Sequence, residues 1–352
     1  MSANGTMTAA VLHGKEDLRI EQVPVPKLQA GEVLVKVGAA LTCGTDLKVY
    51  RRGYHARMIT PPALFGHEVA GEVVEVGPGV KNFTKGARVV AANSAPCGAC
   101  FYCRHRQENL CDDLLFNNGA YAEYIRIPQR IVDKNLLVVP AHLSFSSAAM
   151  VEPLACVLLG LEESAAKADD VIAIIGGGPI GLMFVQAAKT RGCRVISIVK
   201  REQQAEIAKR FGADEVVQIQ TGGQDAGARV RELTEGRGSD IVIEAVGRPE
   251  AWQQALDLVR KGGTVNFFGG CASGTRVELD TNRIHYSALR MLATFHHTPR
   301  AIREALSLLA ENQVRSKDYI TGEAPLRELP AVFRMMADRG AAIKTAIIPS
   351  AG

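Results

Sequence analysis

From about residue 165 onward, short apolar runs alternate with amphipathic stretches. The run 171–175 precedes a helix beginning at Ile180, and 195–199 precedes a helix over 202–211. The run 241–246 precedes a helix over 249–260, and 264–268 ends at Gly269-Gly270. A strand buried on both faces needs such an unbroken apolar run, and strands alternating with helices predict βαβ units in a parallel sheet. The first 150 residues follow another pattern. Val33-Leu34-Val35-Lys36-Val37 and the segment 71–77 are short strand-like runs, and Val23-Pro24-Val25-Pro26 and Gly77-Pro78-Gly79 punctuate them as turns or strand edges. A helix over 300–311 and a strand over 342–349 follow the parallel-sheet region. There is no internal repeat and no low-complexity linker.

Composition narrows this picture more than it extends it. A chain of 352 residues suggests two domains, and 47% hydrophobic with 22% charged residues excludes a disordered polymer. The net charge of +4 comes from 41 Lys and Arg against 37 Asp and Glu spread along the chain, which gives no footing for a nucleic-acid or membrane-surface partner. The N-terminal MSANGTMTAAVLHG has no basic segment followed by an apolar one, so no signal peptide is expected. Residues 171–188 run uncharged for nearly the length of a membrane span, but the Gly-Gly-Gly-Pro block inside them favours strand, turn and helix. The expectation is a soluble, cytoplasmic protein. Eight cysteines are too dilute for a disulfide scaffold, so their placement carries the information.

Gly176, Gly178 and Gly181 form a G-x-G-x-x-G turn, with Pro179 and Ile180 opening the following helix. After a buried strand, the first glycine permits the tight turn and the second lets backbone approach a pyrophosphate. The third allows close helix–strand packing, and the helix N-terminus offers free N–H groups to the phosphates. Where the second strand ends, an acid would bond the ribose 2′-hydroxyl of NAD. The chain has Val199-Lys200-Arg201 there and no acid before Glu202, which favours the 2′-phosphate of NADP.

Cys97, Cys100, Cys103 and Cys111 give the spacing C-x2-C-x2-C-x7-C. Four soft ligands in so short a segment can enclose one ion and leave no open position, which is the pattern of structural zinc; an iron–sulfur cluster draws on the same ligands. Disulfides fit poorly between cysteines this closely spaced, and no basic recognition helix accompanies them. His105 lies inside the loop as a bystander. Further ligand types stand in three separate patches, Thr42-Cys43-Gly44-Thr45-Asp46, Gly66-His67-Glu68 and Val151-Glu152-Pro153-Leu154. Cys43, His67 and a carboxylate would make a three-ligand site with a fourth position open, as catalytic zinc requires.

These motifs in this order resemble the zinc-dependent medium-chain alcohol dehydrogenases, in the branch of the polyol (sorbitol-type) and threonine dehydrogenases. The resemblance covers nearly the whole chain. It implies an α/β architecture with a GroES-like β-rich catalytic domain over 1–155, carrying the structural zinc lobe at 93–115. A Rossmann domain with a doubly wound parallel sheet would occupy 156–295, and 296–352 would return to the catalytic domain. It implies Cys43, His67 and Glu152 as ligands of a catalytic zinc, with Glu68 as an exchangeable fourth. Asp46 would orient His67, and Thr45 would pass a proton from the substrate oxygen. Many relatives continue that relay through a histidine where this chain has Lys48. Gly247, Glu244, Phe268-Gly269-Gly270 and Lys344 would lie near the cofactor, with Lys344 toward its phosphates. The expected activity is hydride transfer between a secondary alcohol (polyol, sugar alcohol or hydroxy amino acid) and NAD(P), with two zinc ions per chain and NADP favoured, in a homodimer or homotetramer. The same fold also serves a zinc-free quinone or enoyl reductase, which would lack the ligands at 43, 67 and 152. A non-enzymatic zinc-stabilised nucleotide-binding protein would keep the four cysteines and need no open site.

Overall fold

In residues 156–296 the apolar runs become six parallel strands. The computed structural model of the chain describes residues 5–55, 57–219, 225–338 and 342–349; the first four residues of the N-terminal segment lie outside these. Two compact units emerge, one from residues 156–296 and one from residues 1–155 together with 297–352.

The strands of the 156–296 unit are Val171–Ile175, Arg194–Val199, Glu215–Gln218, Ser239–Glu244, Val259–Phe267 and Arg290–Leu292. In space they lie third, second, first, fourth, fifth, sixth, all parallel, with Ile172 opposite both Val195 and Ile241. This is the doubly wound order in which the first strand sits at the reversal point where dinucleotides bind. Ile196, Ile198, Val242, Val265 and Phe267 supply a buried core. The membrane-like stretch 171–188 is the strand Val171–Ile175, a glycine turn and the buried helix Pro179–Thr190. The strand Val259–Phe267 begins five residues before its apolar run, because Val259 pairs with Ser239 across a register shift. Arg290–Leu292 is too short for its pattern to be read.

The other unit is built on antiparallel β-structure. A three-stranded sheet joins Asp17–Pro24, Thr6–Gly14 and Ala63–Leu64. A seven-stranded sheet runs in the order Leu136–Val138, Arg88–Ala91, Glu68–Val76, Val33–Leu41, Lys344–Ile348 and Ile320–Pro325, with Tyr124–Ile127 also pairing with Val33–Leu41. Its core packs Phe65, Tyr121 and Phe333 ring against ring at centroid separations of 5.7 to 6.1 Å. All three are fully buried, and a buried aromatic of this kind stabilises by about 2–3 kcal/mol. One helical stretch among the described residues, Phe145–Glu163, is long and apolar enough to cross a membrane, and most of it is buried inside the protein.

Candidate functional site

Strand pairing in the seven-stranded sheet gathers three distant segments at one end. Leu41 stands opposite Glu68 on one side and Ala346 on the other, both antiparallel. Cys43 therefore leaves the sheet beside His67, which precedes Glu68, and beside Lys344, two residues before Ala346. Thr42 N–H donates to Thr345 O, and Thr345 N–H donates to Thr42 Oγ1, which fixes this end. Cys43 caps the helix Gly44–Arg52 and its sulfur accepts from Thr45 N–H at 3.4 Å. The ligand atoms of Cys43, His67 and Glu68 all lie within 4.8 Å of one another.

Each of these donors has a fixed partner. His67 Nδ1 lies 2.8 Å from Asp46 Oδ1, both residues buried, so Nδ1 is the donor to Asp46 and Nε2 is the nitrogen left for a ligand. Burial works against a charge on His67, yet Asp46 and Cys43 override it and hold its pKa well above the usual value. Asp46 Oδ2 is held by the Tyr121 hydroxyl at 2.7 Å; that hydroxyl also lies 2.9 Å from Leu41 O, so one proton serves both. Lys344 Nζ donates to both oxygens of Glu68, at 2.6 and 2.9 Å, and to Thr42 O at 2.8 Å. Burial alone would pull the Lys344 pKa down, but Glu68 and Cys43 reverse this and keep the ammonium charged. The expectation that Lys344 faces cofactor phosphates is corrected: it is 3% exposed and engaged by Glu68. Neither Tyr121 nor the Lys344–Glu68 pair is legible in the sequence, because each joins positions far apart in it.

Glu152, in the first turn of the helix Val151–Glu163, is buried but outside the set formed by Cys43, His67 and Glu68. Burial, with Glu68 nearby, raises its carboxyl pKa to about 7 against the pull of His67 and Lys344. A ring nitrogen of His297 lies within 4.8 Å of that carboxylate, and His297 Nε2 meets Asn93 Oδ1 at 3.1 Å. Burial and the charge of His67 lower the His297 pKa to about 3, which keeps the ring neutral. Thr45 sits in the first turn of its helix beside the Cys43 sulfur, and Lys48 is exposed on the next turn.

The sulfurs of Cys97, Cys100, Cys103 and Cys111 also lie within 4.8 Å of one another. Backbone N–H groups of Cys97, Gly98, Ala99 and Cys100 point at three of the four, at 3.2 to 3.4 Å. The N–H groups of Ala99 and Cys100 lower the Cys97 thiol to about 6, whereas burial pushes Cys103 up to about 12. Four thiolates at this density need a cation among them, so the donor set fits a metal ion. His105 stacks on Phe101 at 4.1 Å and bonds Phe101 O, apart from the sulfurs.

In the 156–296 unit, Gly176 has φ +123°, and a Cβ on Gly181 would stand 1.9 Å from Gly176 O. Only glycine fits either place. Gly178 caps the helix Pro179–Thr190, with Pro179 in its first turn and Ile180 after it, and a Cβ there would meet open space. Backbone at Gly178 is thus free to approach a phosphate group, with the helix N-terminus behind it. Lys200 and Arg201 are exposed at the end of the second strand, and Arg201 N–H bonds Gln204 Oε1 at 3.1 Å. Gly247 has φ +74°, and its N–H, with that of Val246, donates to the buried Glu244 carboxylate at 2.9 and 2.8 Å.

Residues 29–137 match the family Alcohol dehydrogenase GroES-like domain, and residues 179–311 match the family Zinc-binding dehydrogenase. The chain belongs to the zinc-dependent medium-chain alcohol and polyol dehydrogenases, a family of oxidoreductases. It is 32% identical to a sorbitol dehydrogenase of Bacillus subtilis (strain 168), with 98% of each chain covered. It is 33% identical to an L-threonine 3-dehydrogenase of Bacillus licheniformis, over 98% of this chain and 100% of the relative. A zinc-binding dehydrogenase from Sinorhizobium meliloti 1021, solved bound to NADP, superposes with a TM-score of 0.89 at 31% identity, covering 98% of this chain and 100% of that one.

Proposed function

We propose that the protein oxidises a secondary alcohol (polyol, sugar alcohol or hydroxy amino acid), or reduces the matching ketone, with NADP used in preference to NAD. A catalytic zinc would be held by Cys43 and His67 with a carboxylate from Glu68 or Glu152, and a structural zinc by Cys97, Cys100, Cys103 and Cys111. The observation that carries this reading is a thiol, an imidazole and a carboxylate converging at one sheet end, with the imidazole fixed by Asp46.

When bound, the metal supplies Lewis acidity toward the alcohol oxygen, and the dinucleotide supplies the hydride acceptor. The residues supply the rest. Asp46, held by Tyr121, keeps the His67 ring oriented, and a metal ion on Nε2 would take the place of the proton the ring otherwise holds. Lys344 holds Glu68 as an ion pair, so that carboxylate would join a metal's ligands only by leaving the ammonium. Thr45, whose backbone N–H bonds the Cys43 sulfur, would take the proton of the substrate hydroxyl. The turn at Gly176, Gly178 and Gly181 receives the pyrophosphate, Gly247 shapes the neighbouring strand end, and Lys200 and Arg201 favour a 2′-phosphate. Small alcohols are the partners this requires. The eight cysteines, all free thiols, fit a reducing, cytoplasmic setting.

Metal analysis should find two zinc ions per chain. A screen of polyols, threonine and simple secondary alcohols should show cofactor reduction, with higher kcat/KM for NADP than for NAD. Preference for NAD would refute the role given to Lys200 and Arg201, and one zinc or none would refute the catalytic site.

A further inference from the structure

The ends of Ser239–Glu244 and Val259–Phe267 are locked together by two side chains. Glu244 and Phe267 stand opposite each other where the two strands finish. Glu244 is fully buried there, a rare place for a carboxylate. The turn it begins folds back onto its own Oε1, which accepts from Val246 N–H at 2.8 Å and Gly247 N–H at 2.9 Å. Its backbone oxygen accepts from Gly269 N–H at 2.7 Å. Beyond the strands the two backbones touch. A Cβ on Gly247 would stand 2.5 Å from Gly270 O, and one on Gly269 would run into Gly247 N.

Trp252, the one tryptophan of the chain, closes this lock from the helix Pro249–Leu258. Its ring stacks on Phe267 with centroids 4.1 Å apart and planes 18° from parallel. Its Nε1–H donates to Gly269 O at 3.0 Å. Gly269 is therefore held on both sides, its N–H by Glu244 and its carbonyl by Trp252. The same helix starts two residues after Gly247, so the short turn 245–248 is anchored at each end.

The lock adjoins the glycine turn. Ala245 N–H donates to Ile175 O at 3.0 Å, and a Cβ on Gly176 would lie 3.1 Å from Val246 Cγ2. Val246 is an apolar side chain that stays 38% exposed. Strand order reverses between Val171–Ile175 and Ser239–Glu244, and a dinucleotide crosses a doubly wound sheet there, one half over each set of three strands. Lys200 and Arg201 follow the second strand and mark the adenosine side. The nicotinamide half then falls to the side that Glu244 and Trp252 lock.

We infer that Glu244 and Trp252 are positioning residues, which hold the turn 245–247 and Gly269 as a rigid seat for the nicotinamide half, with Val246 as its apolar contact. This rests on the dehydrogenase reading. A buried carboxylate is costly to desolvate, and here it takes up both N–H groups of the turn, so the seat meets the ring with apolar surface in place of hydrogen-bond donors. A seat fixed before the cofactor arrives spares binding the cost of ordering it.

The test uses the full-length, zinc-loaded protein and two variants. Trp252→Phe keeps a ring on Phe267 and deletes the donor to Gly269. Glu244→Ala deletes the acceptor of both N–H groups. Calorimetric titration compares NADP with adenosine 2′,5′-bisphosphate, which represents the adenosine half alone. NADP binding should weaken at least threefold in Trp252→Phe and at least tenfold in Glu244→Ala, with the bisphosphate held within twofold of the parent in both. A parent that takes NAD instead is tested with NAD and AMP on the same terms. If Glu244→Ala does not fold, Trp252→Phe decides alone. Equal loss for dinucleotide and adenosine fragment in Trp252→Phe, or loss of neither, overturns the inference and leaves the dehydrogenase reading intact. A parent that binds neither dinucleotide overturns that reading and the inference with it.

Discussion

His67 has one nitrogen committed to Asp46 and the other left to a ligand, and that division gives the candidate site its chemistry. Replacing Cys43 by Ser removes the soft donor beside it. The variant is expected to bind one zinc fewer per chain and to lose at least roughly a hundredfold in kcat, while the four-cysteine lobe keeps its own ion. Zinc analysis together with kinetics checks this, and full turnover would refute the assignment. His297 gives a prediction of another kind. Its pKa of about 3 lies below that of an unfolded histidine, so the unfolded chain takes up a proton that the native ring refuses. Its contribution is fully present above about pH 6.5 and is lost on acidification, by about 1.4 kcal/mol per pH unit down to roughly pH 3. His297→Gln keeps an N–H donor for Asn93 and should flatten this slope in denaturation curves between pH 6.5 and 5. An unchanged slope would refute it. The sequence pointed to neither partner of this histidine, since the pair His296-His297 reads as ordinary buried or surface histidines.

At the scale of elements, the turn between Val171–Ile175 and Pro179–Thr190 is the most tightly specified. Gly181→Ala would drive a methyl group against Gly176 O, separated by 1.9 Å before any relaxation. Overpacking of this kind costs about 1–3 kcal/mol, and here the backbone that must move is the turn itself. The variant should melt lower and bind the dinucleotide at least tenfold more weakly, with its zinc content unchanged; normal cofactor affinity would contradict the role given to this turn. This element was readable because all its determinants are local: an apolar run, three glycines and a helix start within a few residues. The four cysteines share that property, so their spacing alone suggests that their sulfurs can meet. Tyr121 does not share it. Inside Gly119-Ala120-Tyr121-Ala122 it reads as an ordinary buried aromatic, and only strand packing brings its hydroxyl to Asp46. Glu152 shows the same limit from the other side. The resemblance groups it with Cys43 and His67, with Glu68 as a fourth; the structure brings Glu68 within 4.8 Å of Cys43 and His67 and ties it to Lys344, a partner that the sequence does not show.

At the scale of the whole molecule, the unit that holds Cys43, His67 and Glu68 is assembled from two stretches of chain separated by the complete parallel-sheet unit. Lys344→Met tests what the second stretch contributes. Without its ammonium, Glu68 becomes a buried carboxylate that has lost the cation bonded to both its oxygens, and breaking such a pair costs about 3–5 kcal/mol. Added zinc should offset more of that loss in the variant than in the parent, because the metal offers Glu68 another cation. Thermal melts with and without zinc measure the difference, and equal shifts would refute it. The pairing also fixes an order of events during synthesis. Glu68 and Lys344 lie 276 positions apart, so the ribosome translates the whole intervening unit before the partner of Glu68 exists. Until then the growing chain carries an unneutralised acid and an open sheet edge at Ala40–Leu41, so this pocket can be completed only after Lys344 has been made.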